Sequence, residues 1–119
     1  MIAGFTGTRR GMTKAQRLGL ESLFRDLPIV ELHHGDCRGA DEEAHDLARA
    51  WALVIVGHPP IDSKDRAFCE FDAVETPLPF LKRNTEIVRV ADVLIAAPKE
   101  EKDVLRSGTW ATVREARRK

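Results

Sequence analysis

Three glycine turns carry hydroxyl, guanidinium and carboxylate groups at the spacing that anion binding requires. The first reads Gly4-Phe5-Thr6-Gly7-Thr8-Arg9, followed by Arg10 and Gly11. The second reads His34-Gly35-Asp36-Cys37-Arg38-Gly39-Ala40-Asp41, and the third Arg106-Ser107-Gly108-Thr109-Trp110. Each stands between a short apolar run and an amphipathic stretch. Each therefore predicts a strand that ends where a helix begins, with backbone N–H groups facing a ligand.

The three turns differ in chemistry. In the first, Gly4 and Gly7 allow close backbone approach, Thr6 and Thr8 add hydroxyls, and Arg9 or Arg10 can pair a phosphate bidentately. The pattern is neither GxGxxG nor a Walker loop, so those families are disfavoured, and a plain turn with solvated arginines is the bland alternative. In the second, Gly35 and Gly39 frame Arg38, and Asp41, Glu42 and Glu43 fill the first helical turn. Acids there suit the helix dipole but repel a phosphate, so Asp41 is the candidate for accepting ribose hydroxyls. The third offers Ser107, Gly108 and Thr109 at a helix N-terminus, with no acid before Glu115. An anion is welcome there, although Ser107 and Thr109 also make ordinary N-caps.

Arg83 and Asn84 lie one turn into a further helix and are candidates for the same edge. His33, His34 and His58 end two strands. They have no zinc-type spacing, so no metal site is expected, and ligand-facing polar roles are preferred.

The elements that position these groups follow from periodicity. Met1 to Phe5 predicts a strand, and Thr13 with Gln16 a capping box that opens the first helix. Ala15, Leu18, Leu23 and Leu27 continue that helix at helical spacing, and Pro28 closes it. Ile29 to His33 is the second strand. Ala40, Ala44, Leu47, Ala48 and Trp51 form the next helical stripe, and Leu53 to Gly57 is the third strand. From Ile61 to Phe80 periodicity is lost, which predicts a long loop. Leu81, Ile87, Val88 and Ala91 mark a third helix, Val93 to Ala97 a fourth strand, Pro98 to Arg106 a charged loop, and Thr109 to Arg117 a last helix. The expectation is an α/β, Rossmann-like three-layer sandwich. Its parallel sheet has about four strands in the order 3-2-1-4, with helices on both faces and a switch point between the first and fourth strands.

Composition is that of one globular domain spanning residues 1–119, with 43% hydrophobic and 32% charged residues. Nineteen basic and nineteen acidic side chains cancel, so no global field recruits nucleic acid or a membrane. The basic tail of Arg114, Arg117, Arg118 and Lys119 reads as cations at a helix C-terminus. Cys37 and Cys69 stand alone, which fits a reduced, cytoplasmic protein. Neither a signal-peptide pattern nor a membrane-spanning run is visible.

Taken together, GFTGTR, HHGDCRGAD, FLKRNTEIVRVADVLIAAP and RSGTWATVREA resemble the SLOG superfamily of Rossmann-like nucleotide-binding proteins. That superfamily includes the LOG phosphoribohydrolases and the DprA-like DNA-processing proteins, and the small stand-alone YspA/YpsA-related branch is the nearest in pattern. The resemblance covers nearly the whole chain. It implies that Arg83 occupies the place of the LOG arginine and Ala91-Asp92 that of the "AD" pair. Pro98 and Ser107-Gly108-Thr109 then stand for the PGGxGTxxE turn, with Lys99 to Arg106 inserted. LOG enzymes release a base from a nucleoside 5′-monophosphate, with arginine and glutamate stabilising an oxocarbenium-like transition state. Here the glutamate's place holds Thr112, and Asp41 or Glu86 is the substitute carboxylate. The chain also stops where such folds often continue into another strand, which implies a four-stranded sheet or a partner subunit over that edge.

Three functional readings follow. The first is a binding or sensing domain for a nucleotide or nucleotide-derived ligand, with Thr6, Gly7, Thr8, Arg9, Gly108 and Thr109 on phosphate and Gly39 and Asp41 on ribose. The second is an N-glycosidase with Arg83, Asp41 and Glu86 as catalytic groups. The third, resting on the DprA kinship and the basic tail, is a DNA-processing accessory. No cofactor is expected, and a homodimer is favoured over a monomer.

Overall fold

Residues 1–103 and 106–119 are described by a computed structural model; Val104 and Leu105, inside the charged loop expected over Pro98 to Arg106, lie outside the described residues. The elements in chain order are β1 (Ile2–Gly7), α1 (Lys14–Asp26), β2 (Glu31–His34), α2 (Ala40–Ala50) and β3 (Val54–Gly57). They continue with β4 (Ala73–Val74), α3 (Phe80–Val90), β5 (Val93–Ala97) and α4 (Gly108–Arg118). Every strand pairing is parallel, in the order β4-β3-β2-β1-β5.

A parallel sheet needs both faces covered, and strand alternation decides what covers each. Ala3, Phe5, Leu32, Ile55 and Ile95 point to one face, where Leu20 and Phe24 of α1 and Ala40, Ala44 and Ala48 of α2 complete the core. The alanine stripe is wholly buried, which lets α2 sit close to the sheet. Gly4 points to the other face, where Ile87 and Ala91 pack against it. There α3 and α4 also pack against one another. Burying each Leu, Ile or Phe of this core contributes about 1.5–3 kcal/mol.

The expected α/β class is the observed one, and the expected order survives as β3-β2-β1-β5. The strand count needs correction. The stretch from Ile61 to Phe80 contains β4, a fifth strand two residues long, which pairs Val56 with Ala73 and Gly57 with Val74. Two residues are too few to show an alternating pattern. A side chain holds them instead: Oδ2 of Asp72 accepts the Ile55 N–H at 2.8 Å and an Arg49 N–H at 2.8 Å.

Local signals elsewhere hold. Thr13 and Gln16 form the capping box that opens α1. β1 ends at Gly7, the glycine expected to close it, and pairs with β5 as far as Ala97.

The second turn is more tightly built than its glycines imply. Asp36 is fully buried with φ of +58°. Its carboxylate accepts from Arg66 Nε at 2.8 Å and from the Cys69 N–H at 2.9 Å, tying the post-β3 loop to the β2 turn. Gly39 has φ of +89°, and a Cβ there would lie 2.2 Å from the Arg9 carbonyl oxygen. Glu43, one turn into α2, accepts the Met12 N–H at 2.6 Å and an Arg17 N–H at 3.0 Å. The first and second turns are thus clamped together.

Candidate functional site

A cavity of about 560 Å³ opens at the C-terminal ends of β1 and β5, the switch point of the sheet. Four segments build it. The end of β1 and its turn bring Phe5, Thr6, Gly7, Thr8 and Arg9, and the β2 turn brings Gly35, Cys37 and Asp41. The first two turns of α3 bring Phe80, Leu81, Arg83, Asn84 and Ile87. The approach to α4 brings Lys99, Glu100, Arg106, Ser107, Gly108 and Thr109.

The two ends of this cavity differ in charge. At α4, Ser107 accepts the Trp110 N–H at 3.2 Å, while Gly108 and Thr109 begin the helix at the cavity wall. Helix N-terminal dipole, threonine hydroxyls and the cations of Lys99 and Arg106 favour an anion at this end, where Glu100 is the one opposing acid lining the cavity among the described residues and Arg9 is already paired with Asp65 at 2.9 Å.

Across the cavity, Arg83 is 5% exposed and forms no ion pair among the described residues. Its Nη1 donates to the carbonyls of Gly35 at 2.6 Å and His58 at 3.2 Å, and its Nε to Asn84 Oδ1 at 2.7 Å. The guanidinium lies over the Phe80 ring, 5.2 Å from its centroid. Its Nη2 meets only the Cys37 sulfur, at 3.9 Å. A nearly buried cation held by neutral groups retains its demand for negative charge.

Asp41 supplies a carboxyl in the same cavity. Burial is the main cause that raises its pKa to about 6, opposed by Arg83 and by backbone N–H donors from Cys37 and Gly35. Near neutrality it can therefore hold or release a proton. Cys37 beside it is pushed up, by burial first and Asp41 second, and stays a thiol rather than a thiolate.

Of the expected ligand residues, Thr6, Gly7, Thr8, Arg9, Gly35, Asp41, Arg83, Asn84, Ser107, Gly108 and Thr109 all line the cavity. Four do not. Gly4 lies in the strand under α3, where a Cβ would meet Ile87 at 2.8 Å. Gly39 serves the turn geometry described above. Arg38 turns outward and donates to the Lys64 carbonyl at 2.9 Å. Glu86 is on the outer side of α3, paired with Arg89 at 2.8 Å. Thr112, at the glutamate's place, is buried and donates its hydroxyl to the Gly108 carbonyl at 3.0 Å, away from the cavity. Phe80, Lys99, Glu100 and Arg106 are cavity residues that sequence reasoning passed over. Only their nearness to Arg83 and Ser107 pointed to them.

The histidines form hydrogen-bonded pairs outside the cavity lining, a correction to their expected ligand-facing role. His33 bonds His58 at 2.7 Å and Glu31 at 2.6 Å. Burial, then His33, lowers the His58 pKa to about 4. His34 bonds His45 at 2.9 Å, and with Cys69 these two could offer three metal ligands within 4.8 Å. However, Nδ1 of His34 accepts the Asp36 N–H at 3.0 Å, so Nε2 carries the proton that it gives to His45. That tautomer suits a hydrogen-bond relay and opposes ligation through Nε2. The basic tail is used within the fold. Lys119 Nζ caps the Val88 and Ala91 carbonyls at 2.6 and 2.8 Å, and Arg117 lies over Trp110.

Two solved structures share this architecture. One is the X-ray structure of TM1055, with a TM-score of 0.68 and 20% identity over 97% of this chain and 67% of that one. The other is the molybdenum cofactor binding protein from the phototrophic bacterium Rippkaea orientalis. Its TM-score is 0.70, at 23% identity over 97% of this chain and 69% of that one. The likeness establishes the fold. No family model and no curated protein matches the chain. Among the described residues no helix is long and apolar enough to cross a membrane.

Proposed function

We propose that this chain is a SLOG-type domain that binds a nucleotide or phosphorylated nucleoside in the switch-point cavity. The observation that carries the reading is Arg83, a nearly buried cation without an ion-pair partner among the described residues, facing a helix N-terminus across one cavity. Phosphate belongs at Thr6, Gly7, Thr8, Arg9, Gly108 and Thr109, and the sugar between Asp41 and Arg83. The volume of about 560 Å³ suits a nucleoside monophosphate. One structural neighbour is a molybdenum cofactor binding protein, which supports small-ligand binding as a use of this fold.

One observation favours catalysis as the second reading. Asp41, at about 6, shares the cavity with Arg83, and such a pair could assist cleavage of an N-glycosidic bond. Binding nevertheless comes first, because Glu86 faces away and Thr112 is in the core. The DNA-accessory reading keeps only the DprA resemblance, since Arg117 and Lys119 of the tail turn onto the fold.

A thermal-shift series with nucleoside 5′-monophosphates tests the proposal, with chromatography of the same mixtures for free base. Stabilisation that Arg83→Met and Thr109→Ala abolish supports binding, and released base promotes the second reading. No stabilisation by any nucleotide rejects both.

A further inference from the structure

Asp41 is, among the described residues, the one acid that both lines the cavity and is nearly buried, at 6% exposure. Its Oδ2 accepts the Cys37 N–H at 3.2 Å, yet it forms no ion pair among the described residues. A carboxyl taken out of water without a counter-charge is sensitive to any charge that enters the same enclosure.

The charged and titratable groups around it come from each neighbouring element. The β2 turn brings the Cys37 thiol and Asp36, whose carboxylate is already paired with Arg66 of the post-β3 loop at 2.8 Å. The β1 turn brings Arg9, already paired with Asp65 at 2.9 Å. On α2 itself Glu42 is exposed, Glu43 is held by Arg17 and His45 is bonded to His34. Lys99, Glu100 and Arg106 lie on the α4 side of the cavity. From α3, Arg83 is the nearby cation that favours the carboxylate against burial, and its own Nη1 is taken by the Gly35 and His58 carbonyls.

We propose that entry of a phosphorylated ligand drives a proton from solvent onto Asp41, so that the occupied cavity holds a neutral carboxyl. This rests on the nucleotide-binding reading above. A phosphomonoester brings about two negative charges into the enclosure and offsets the field of Arg83 that had favoured the carboxylate. Repulsion across a poorly screened cavity acts over several ångströms, so Asp41 need not touch the ligand. In the empty cavity burial already raises the carboxyl to about 6, and a further rise of about two units takes it past neutrality. Above pH 6, affinity for the ligand therefore falls as pH rises.

Titration calorimetry with AMP at pH 7.5, in two buffers of different ionisation heat, counts the protons that bind with the ligand. Wild type is expected to take up about one proton more per AMP than Asp41→Asn, and the phosphate's own titration, common to both, cancels. Wild-type affinity relative to the variant should also fall about tenfold between pH 6.5 and pH 8. Where Asp41→Asn folds or binds poorly, NMR titration of the Asp41 carboxyl carbon in wild type, with and without AMP, decides: its midpoint should move up by about one unit or more. Equal proton counts in the two proteins, or a midpoint that AMP leaves in place, overturns the proposal while nucleotide binding stands. Wild-type protein that does not bind AMP overturns the nucleotide reading and the proton coupling with it.

Discussion

Arg83 and Gly35 fit each other with no room to spare. The Arg83 Nη1 donates to the Gly35 carbonyl at 2.6 Å, and a Cβ at position 35 would lie 2.3 Å from that same nitrogen. A glycine on the β2 turn is therefore what lets a cation from α3 lie at the floor of the cavity. Gly35→Ala is expected to displace the guanidinium, cost about 1–3 kcal/mol of stability and weaken nucleotide binding at least tenfold. Chemical denaturation and calorimetry measure the two effects, and wild-type affinity in a folded variant would reject the arrangement.

Gly108 is the opposite case. No atom outside its own neighbourhood lies within 4 Å of a Cβ built there, so the methyl group enters open space at the cavity wall. Gly108→Ala should leave stability within about 0.5 kcal/mol of wild type. Binding of AMP and of inorganic phosphate should both fall, because the methyl group narrows backbone approach to the anion. Retained affinity for both would move the anion site away from α4.

Asp41 makes a prediction about pH. Its folded pKa of about 6 lies above its ordinary value of 3.8, so between these values the folded state binds more protons than the unfolded. Its contribution to stability is thus fully present below about pH 4 and is lost as pH rises through 6. The difference is about 3 kcal/mol at 1.36 kcal/mol per pKa unit. Asp41→Asn should remove that component. Relative to wild type, the variant should gain stability on going from pH 4 to pH 7, measured by urea denaturation at each pH. A constant difference across the range would refute the placement of the proton.

Thr112 tests the resemblance to the LOG motif directly. Placing the LOG glutamate there puts a charge into a site that is 1% exposed. Thr112→Glu should destabilise by about 3 kcal/mol or more and bring no release of base from AMP. Base release by a stably folded variant would show that α4 can turn this face to the ligand.

The sequence carried the β/α alternation, the capping box and the switch point, because these rest on local periodicity and turn chemistry. It carried most of the cavity for the same reason: Thr6 to Arg9 and Ser107 to Thr109 sit at strand-to-helix turns, where a parallel sheet binds ligands. What it hid depended on distant contacts. β4 exists because Asp72 bonds the Ile55 N–H, and no run of residues announces that. Gly4 and Gly35 look equally suited to a ligand turn, yet one lies beneath Ile87 and the other beneath Arg83. Glu86 and Glu100 are both acids near the motifs. Only the direction of α3 and the indole bond to the Glu100 carbonyl separate them.

The clamp between the first two turns bears on how such a site could be rebuilt. Gly39 presses on the Arg9 carbonyl, and Glu43 holds the Met12 N–H and Arg17. Each loop has bonds of its own, Arg10 N–H to the Thr8 hydroxyl in the first and Cys37 N–H to Asp41 in the second, but also leans on the other. Grafting the Thr6–Arg9 segment onto another sheet would transplant half of a mechanism, and randomising either loop alone in a library would scramble the other. The smallest portable unit is both loops, the first turn of α2 and the post-β3 segment that brings Arg66 and Cys69 to Asp36.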